Sequence, residues 1–295
     1  MKTIIASTLA LVLCCLTVSC SVQKTVEPEP QEIQESKYKS VVCDTELNSS
    51  VIDKEVFYWS VPGEVKDLKD KQICYEGENY NLTYISSSRE PFSPYEEDEY
   101  YDGDKSHFSF RSDTDEMTGY IFNVWGLDMS DYVYDPLTID AAQTIAENLA
   151  EKYIKVEDYA MTSTAIPYTE MNCDEYICYR FIFTRHIGGI PTKDYMAVTI
   201  GNDGRLISFR CSTAGLFSGK DNIEFDKEEV EKSIALKINE LFLEKYEYVY
   251  TTGERLLTYT PNGELILLSV VRAGLTVKGI KDTVTTKFVI GTLIG

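Results

Sequence analysis

Alternating apolar and polar positions predict β-strands in the first half of the chain. Residues 80–85 alternate with a period of two, and residues 55–61 are rich in β-branched and aromatic side chains. Residues 106–111 and 118–123 flank a polar tip, which is the pattern of a β-hairpin. Because no helical pattern occurs in this part, residues 51–134 are predicted to form an antiparallel β-rich region.

Two later segments have the period of amphipathic helices, residues 138–154 and 226–245. Thr138 is the expected N-cap of the first helix, and Asp226 with Glu229 resembles a capping box at the start of the second. The predicted apolar faces consist of Ala142, Ile145, Ala146, Leu149, Tyr153 and Ile154 in the first helix, and of Val230, Ile234, Ile238, Leu241 and Phe242 in the second.

Strand patterns follow each predicted helix, at residues 176–187, 195–200 and 205–211 and at residues 248–259, 264–272 and 283–293. A unit of one helix and an antiparallel meander therefore occurs twice. The predicted fold is of the α+β class, with an N-terminal antiparallel β-rich region followed by two helix-plus-meander units. The first of these units covers residues 135–217 and the second covers residues 221–295.

The strands after the first helix carry a family resemblance. Residues 179–191 read YRFIFTRHIGGIP and residues 197–206 read AVTIGNDGRL. This segment resembles a PepSY-type domain, in which an Ala-rich helix precedes a sheet with an aromatic-Arg strand, a Gly-Pro turn and an Asp-Gly hairpin. The resemblance covers residues 137–211 and, more weakly, 226–293. It implies a module found in peptidase-inhibiting propeptides and in envelope proteins, without a catalytic residue.

The amino terminus has the pattern of an export signal. Lys2 precedes an apolar run at residues 4–16, which is too short for a comfortable membrane span. Residues 16–21 resemble a bacterial lipobox, which implies that Cys20 is the lipid attachment site of a lipoprotein. Thr17 stands where that family usually has leucine, so ordinary cleavage and secretion is the alternative.

These features predict where the protein lies. Residues 1–19 are a predicted signal peptide, and residues 20–50 are a predicted tether because their beginning is polar and holds two prolines. The predicted location is the cell envelope, on the outer face of the cytoplasmic membrane, to which the lipid anchors the chain.

Charge and cysteine content exclude several classes of protein. The chain has 28 Lys and Arg against 48 Asp and Glu, a net charge of −20, so we expect no nucleic-acid partner. Two histidines cannot form a His-rich metal site. The cysteines after Cys20 are odd in number, so they cannot form a complete disulfide framework, and their disulfide state stays open. They are Cys43, Cys74, Cys173, Cys178 and Cys211.

No reactive constellation emerges from the remaining residues. On one predicted strand, Cys178 and His186 are too far apart for a nucleophile and its base. The acidic run at residues 96–104 favours a solvated loop over a calcium site, because His107 stands where a calcium loop requires glycine. We therefore assign no catalytic, cofactor-binding or metal-binding residue and expect no cofactor.

The leading functional hypothesis is a non-catalytic module that binds an envelope protein or peptide, peptidase inhibition included. Strand addition at an edge such as residues 283–293 is one way to bind an extended peptide. Two alternatives remain, an envelope hydrolase that uses carboxylates and a purely structural envelope component.

Overall fold

The computed structural model describes residues 35–45, 65–103, 106–122, 135–167, 176–280 and 282–295. Within these ranges lie 13 strands and two α-helices. The strands are β1 (Lys39–Thr45), β2 (Lys71–Tyr75), β3 (Glu78–Arg89), β4 (Glu96–Tyr101), β5 (Ser106–Arg111), β6 (Met117–Phe122), β7 (Tyr159–Pro167), β8 (Ile177–Ile187), β9 (Ile190–Gly201), β10 (Leu206–Arg210), β11 (Tyr246–Tyr259), β12 (Leu265–Val277) and β13 (Thr283–Leu293). The helices are α1 (Ile139–Ala150) and α2 (Lys227–Phe242). Neither of these two helices is long and apolar enough to cross a membrane.

The chain divides into two compact units. Of the described residues, those between 65 and 186 and between 192 and 220 form the first unit, and those at 35–45, 187–191 and 221–295 form the second. In the first unit the strands lie in the order β7-β8-β9-β10-β6-β5-β4-β3-β2, with α1. In the second unit they lie in the order β1-β13-β12-β11, with α2. The registered ladders within both units are antiparallel.

Helix α1 forms where its apolar positions and its cap predict it. Thr138 accepts a hydrogen bond from the backbone N–H of Ala141, so the predicted N-cap is confirmed. The buried residues of α1 share one core cluster with strand residues from both halves of the sheet, among them Leu82, Phe108, Phe181 and Phe209. Ile145, which the sequence placed on the buried face, is 37% exposed. The helix therefore covers the sheet with Ala142, Ala146, Leu149 and Ala150.

Helix α2 packs in the second unit as its sequence predicts. Val230, Ile234, Ile238 and Phe242 are fully buried, and the Phe242 ring lies 5.8 Å from that of Phe288. Asp226 accepts hydrogen bonds from the N–H groups of Glu228 and Glu229, which confirms the N-cap. The Glu229 carboxylate does not close a capping box, because it accepts hydrogen bonds from Ser36 and Lys37.

The fold class predicted from the sequence is wrong. The strands of the predicted N-terminal region do not form a separate part, because β6 pairs with β10 through Ser208–Ile121, Phe209–Tyr120 and Arg210–Gly119. Strands hold 53% of the described residues and helices 14%, so two helix-plus-meander units do not describe the chain. The physical reason for this single arrangement is that the strands before α1 have one apolar face and no helix of their own to cover it. They cover it by sharing α1 with the later strands.

Two strands lie outside the regions that the sequence predicted to form strands. Residues 39–45, within the predicted tether, form β1 and pair with β13 over Phe288–Leu293. That edge of β13 is therefore occupied over these residues, which removes it as a site for strand addition there. Residues 159–167 form β7, which pairs with β8.

Candidate functional site

A cavity of about 490 Å³ lies in the first unit, where α1 meets the sheet. Its size falls within the range of small-molecule and peptide side-chain sites. The lining residues come from the β2–β3 hairpin, β6, α1, the turn after α1, the β9–β10 turn and the start of β10: Tyr75, Glu76, Tyr80, Tyr120, Ile145, Asn148, Leu149, Lys152, Gly204, Arg205 and Leu206. The cavity combines an apolar wall with charged groups.

Two tight turns place Glu76 and Arg205, two of the three charged residues of the cavity. Glu76 and Gly77 link β2 to β3 with φ values of 49° and 84°, a left-handed pair of the kind that closes two-residue hairpins. This turn holds Glu76 beside Tyr75. On the other side, Gly201 cannot carry a side chain, because a Cβ there would clash with the Tyr176 hydroxyl and Asp203. The resulting turn leads into Arg205.

Tyrosine rings from β2, β3 and β6 form the floor of the cavity. The Tyr75 ring centroid lies 5.2 Å from that of Tyr120 and 6.1 Å from that of Phe108. The Phe108 ring in turn lies 5.0 Å from Tyr80 and 5.1 Å from Tyr120. These separations are those of packed aromatic pairs, so the floor is a rigid apolar surface.

The phenol groups of the floor remain protonated at neutral pH. Burial raises the pKa of both Tyr75 and Tyr80 above that of a free tyrosine. The Tyr80 hydroxyl donates to Glu78 at 3.2 Å, and the Tyr120 hydroxyl accepts from Ser106 at 3.4 Å. The Tyr75 hydroxyl oxygen is buried and has no hydrogen-bond partner among the described residues. It is therefore a buried, unsatisfied donor that is closed to solvent.

Two cations and one anion lie among the lining residues. The Lys152 ammonium lies 3.4 Å from Glu76, and the two side chains are 60% and 58% exposed. The Arg205 guanidinium lies 3.7 Å from the buried carboxylate of Asp203 and 5.3 Å from the centroid of the Phe122 ring. Each of the two cations is thus paired with a carboxylate, and only the Lys152–Glu76 pair is exposed on both sides.

A second polar cluster lies on the strands of the same unit, with buried carboxylates and an Arg210 side chain that is 26% exposed. Arg210 contacts Glu97 at 2.5 Å and Glu90 at 3.4 Å, and Lys193 contacts Glu90 at 3.3 Å. The side chains of Glu90 and Glu97 are only 3% and 1% exposed. Although its burial opposes ionisation, Arg210 and Lys193 lower the pKa of Glu90 to about 2. The cluster is therefore a buried ion-pair network.

Glu99 lies in the same row of the sheet as Ser109, Gly119 and Arg210. Burial raises its pKa to about 7, and the neighbouring charge of Glu97 adds to the rise. Attraction by Arg210 and hydrogen bonds from Ser109 and Ser88 act in the opposite direction. Two acids on one strand therefore have different surroundings, which is the arrangement that acid–base enzymes use.

The acidic run that contains these residues is not a solvated loop. Residues 96–101 form β4, and both Glu97 and Asp98 are buried. Asp104 of the alternative calcium site lies outside the described residues. Within the described ranges, no group of three or more His, Cys, Asp and Glu residues could hold a metal ion.

The structure brings no nucleophile and base together among the sequence candidates that it describes. Burial raises the pKa of the Cys178 thiol to about 11 and that of Cys211 to about 12, so both thiols stay protonated at neutral pH. His186 is exposed, and its Nδ1 lies 3.1 Å from the carbonyl oxygen of Thr184. Of the other cysteines, Cys43 is buried and Cys74 is exposed, whereas Cys20 and Cys173 lie outside the described residues.

Sequence reasoning did not identify the cavity. Its charged residues, Glu76, Lys152 and Arg205, come from three separate turns, and no spacing along the chain connects them. The one available signal was the unusual number of tyrosines, 21 in all.

No protein-family model, curated protein or solved structure matches the chain, so the resemblance to PepSY-type domains remains a prediction.

Proposed function

We propose that this chain is an exported envelope protein, lipid-anchored at Cys20, that binds a protein or peptide segment without chemical turnover. The cavity in the first unit is the observation that carries the proposal. Its aromatic floor supplies apolar contact area at low entropic cost, and its charged groups supply orientation. Export and anchoring rest on the sequence of residues 1–20 alone.

A peptide fits the cavity better than a large rigid ligand. A volume of about 490 Å³ lies in the lower half of the range for ligand sites, so the cavity takes a short segment of a peptide and not a whole chain. Ile145, Leu149 and Leu206 add aliphatic surface to the lining, against which an apolar side chain can pack. Asn148 and Lys152 add polar groups that can meet a peptide backbone.

A carboxylate hydrolase is the second candidate, because Glu99, with a pKa of about 7, lies near the charge of Glu97. Its weakness is access. The Glu97 side chain is 1% exposed and is held by Arg210, so a substrate cannot reach its oxygens. Turnover of a glycan or peptide that Glu99→Gln abolishes and Ile145→Trp preserves would favour this candidate instead.

The test of binding compares two substitutions on the same helix. Ile145 lines the cavity and is 37% exposed, whereas Ile139 is 36% exposed and does not line it. The purified protein is mixed with a soluble library of short peptides, each made as a free acid and as a carboxamide. Retained peptides are identified by mass spectrometry.

We expect the wild type and Ile139→Trp to retain the same peptides, and Ile145→Trp to lose them because its indole fills the cavity. Retention of no peptide by the wild type, or equal retention by all three proteins, would refute the proposed function.

A further inference from the structure

We infer that strand β7 pairs with the same strand of a second copy of the chain, so that two copies join their sheets antiparallel about a two-fold axis at Ser163. The observations behind this inference are an unpaired strand edge, the exposure of both faces of β7, and the lack of charge along it. The inference does not depend on the cavity and goes beyond the proposed function.

Strand β7 lies at an edge of the first unit. It pairs with β8 from Tyr159–Arg185 to Pro167–Ile177 without a bulge, and within the described residues no strand pairs with its other side. Alternate residues of an edge strand direct their N–H and C=O groups away from the sheet. An extended backbone presents acceptors and donors at the same spacing, so these groups select another strand as the partner.

The two faces of β7 are open as well as its edge. Seven of its nine residues are exposed, including all of residues 162–167. Because successive side chains of a strand point to opposite faces, the described part of the chain covers neither face along this stretch. A second sheet can therefore approach the edge of β7 without a steric obstacle from the described residues.

Strand β7 lacks the features that usually protect an edge. Natural edge strands are short, carry charged residues, or contain a bulge or a proline. The strand at the opposite edge of this unit, β2, follows that rule, because it has five residues and contains Lys71. By contrast, β7 has nine residues, no charged side chain and one proline at its last position, in a chain of which 26% is charged.

A second copy meets the demands of this edge. Two identical edge strands pair antiparallel when a two-fold axis relates them, and two-fold dimers are the commonest assemblies of identical chains. With the axis at Ser163, the middle residue of β7, Thr162 faces Thr164 and Met161 faces Ala165 of the second copy. Because the chain has a net charge of −20, two copies repel each other over most of their surfaces. The β7 pairing brings no like charges opposite each other, so it avoids this repulsion at the seam.

Sedimentation velocity of the full protein in mild detergent tests this dimer with two variants. Ser163→Lys places two like charges opposite each other at the axis, on an exposed position. Ser218→Lys, at an exposed serine after β10 in the same unit, is the matched control. We expect the wild type and Ser218→Lys to sediment as dimers, and the dimer of Ser163→Lys to be at least about tenfold weaker.

Cysteine cross-linking tests the register and does not require a charged residue at the axis. Cα atoms directly opposite each other in an antiparallel ladder lie about 4.5–5.5 Å apart, which a disulfide can span. Under mild oxidation, Ser163→Cys should form more disulfide-linked dimer than the wild type, in which the exposed Cys74 sets the background. Ser218→Cys should stay at that background.

Three results would overturn the inference. A wild type that sediments as a monomer would do so, in favour of a strand from a different protein. A Ser163→Lys variant that dimerises as tightly as the wild type would place the interface elsewhere on the chain. Equal cross-linking of Ser163→Cys and Ser218→Cys would exclude the proposed axis.

Discussion

Glu99→Gln tests the buried polar face of the first unit through the pH dependence of stability. The Glu99 carboxyl has a pKa of about 7 in the folded protein, against 4.5 for an ordinary glutamate. The folded state therefore binds this proton more tightly than the unfolded state does. Protonation of Glu99 therefore stabilises the folded state fully below pH 4.5. This stabilisation is lost as the pH rises from 4.5 to 7 and is absent at higher pH.

The size of the effect follows from the two pKa values. A change from 4.5 to about 7 corresponds to about 3 kcal/mol, because each tenfold change in proton affinity is worth about 1.4 kcal/mol. Glutamine carries no charge and can still accept hydrogen bonds from Ser109 and Ser88. We therefore expect the variant to match the wild type at pH 4.5 and to exceed its unfolding free energy by up to about 3 kcal/mol at pH 8.

Urea unfolding followed by circular dichroism at pH values from 4.5 to 8 measures this difference directly. Glu116→Gln, at the exposed tip of the β5–β6 hairpin, is the control and should track the wild type at every pH. A difference between wild type and Glu99→Gln that does not change with pH would refute the assignment of the raised pKa to this carboxyl.

Three further predictions concern stability and processing. Arg210→Met leaves Glu97 buried without its cation and should lower the unfolding free energy by about 3–5 kcal/mol, and Glu97→Gln in the same chain should restore much of this loss. A double variant that is no more stable than Arg210→Met in urea unfolding would contradict this prediction. Ile238→Asp places a charge in the core of the second unit and should lower the unfolding free energy by more than about 4 kcal/mol, whereas Ile145→Asp, at a partly exposed position, should lower it by less than about 1 kcal/mol. Similar losses of stability for both variants in thermal unfolding would show that the burial assignment is wrong. Metabolic labelling with a fatty acid should mark the wild type and miss Cys20→Ala, and equal labelling would exclude lipidation at that residue.

Local signals in the sequence predicted local structure. Thr138 and Asp226 were identifiable as N-caps because a cap depends on residues within one turn. The turns at residues 188–189 and 202–204 were identifiable because glycine permits their left-handed backbone. These features positioned both helices and most of the later strands correctly.

Long-range pairing was not encoded in any local pattern. The ladder between β6 and β10 joins residues about 90 positions apart, and β1 pairs with the end of the chain. The strand at residues 96–101 was missed because its acids suggested exposure. These acids can be buried because cations from distant strands pair with them, as Arg210 does with Glu97. The cavity was missed for the same reason, since its walls meet only after the strands pair.

Nuclear magnetic resonance of tyrosine-labelled protein, titrated with a retained peptide, tests the central claim most directly. If the peptide binds in the cavity, the ring signals of Tyr75, Tyr80 and Tyr120 should shift with saturation, while those of Tyr248 and Tyr250 in the second unit should not. Saturable shifts confined to Tyr248 and Tyr250, with the three cavity tyrosines unchanged, would contradict the account.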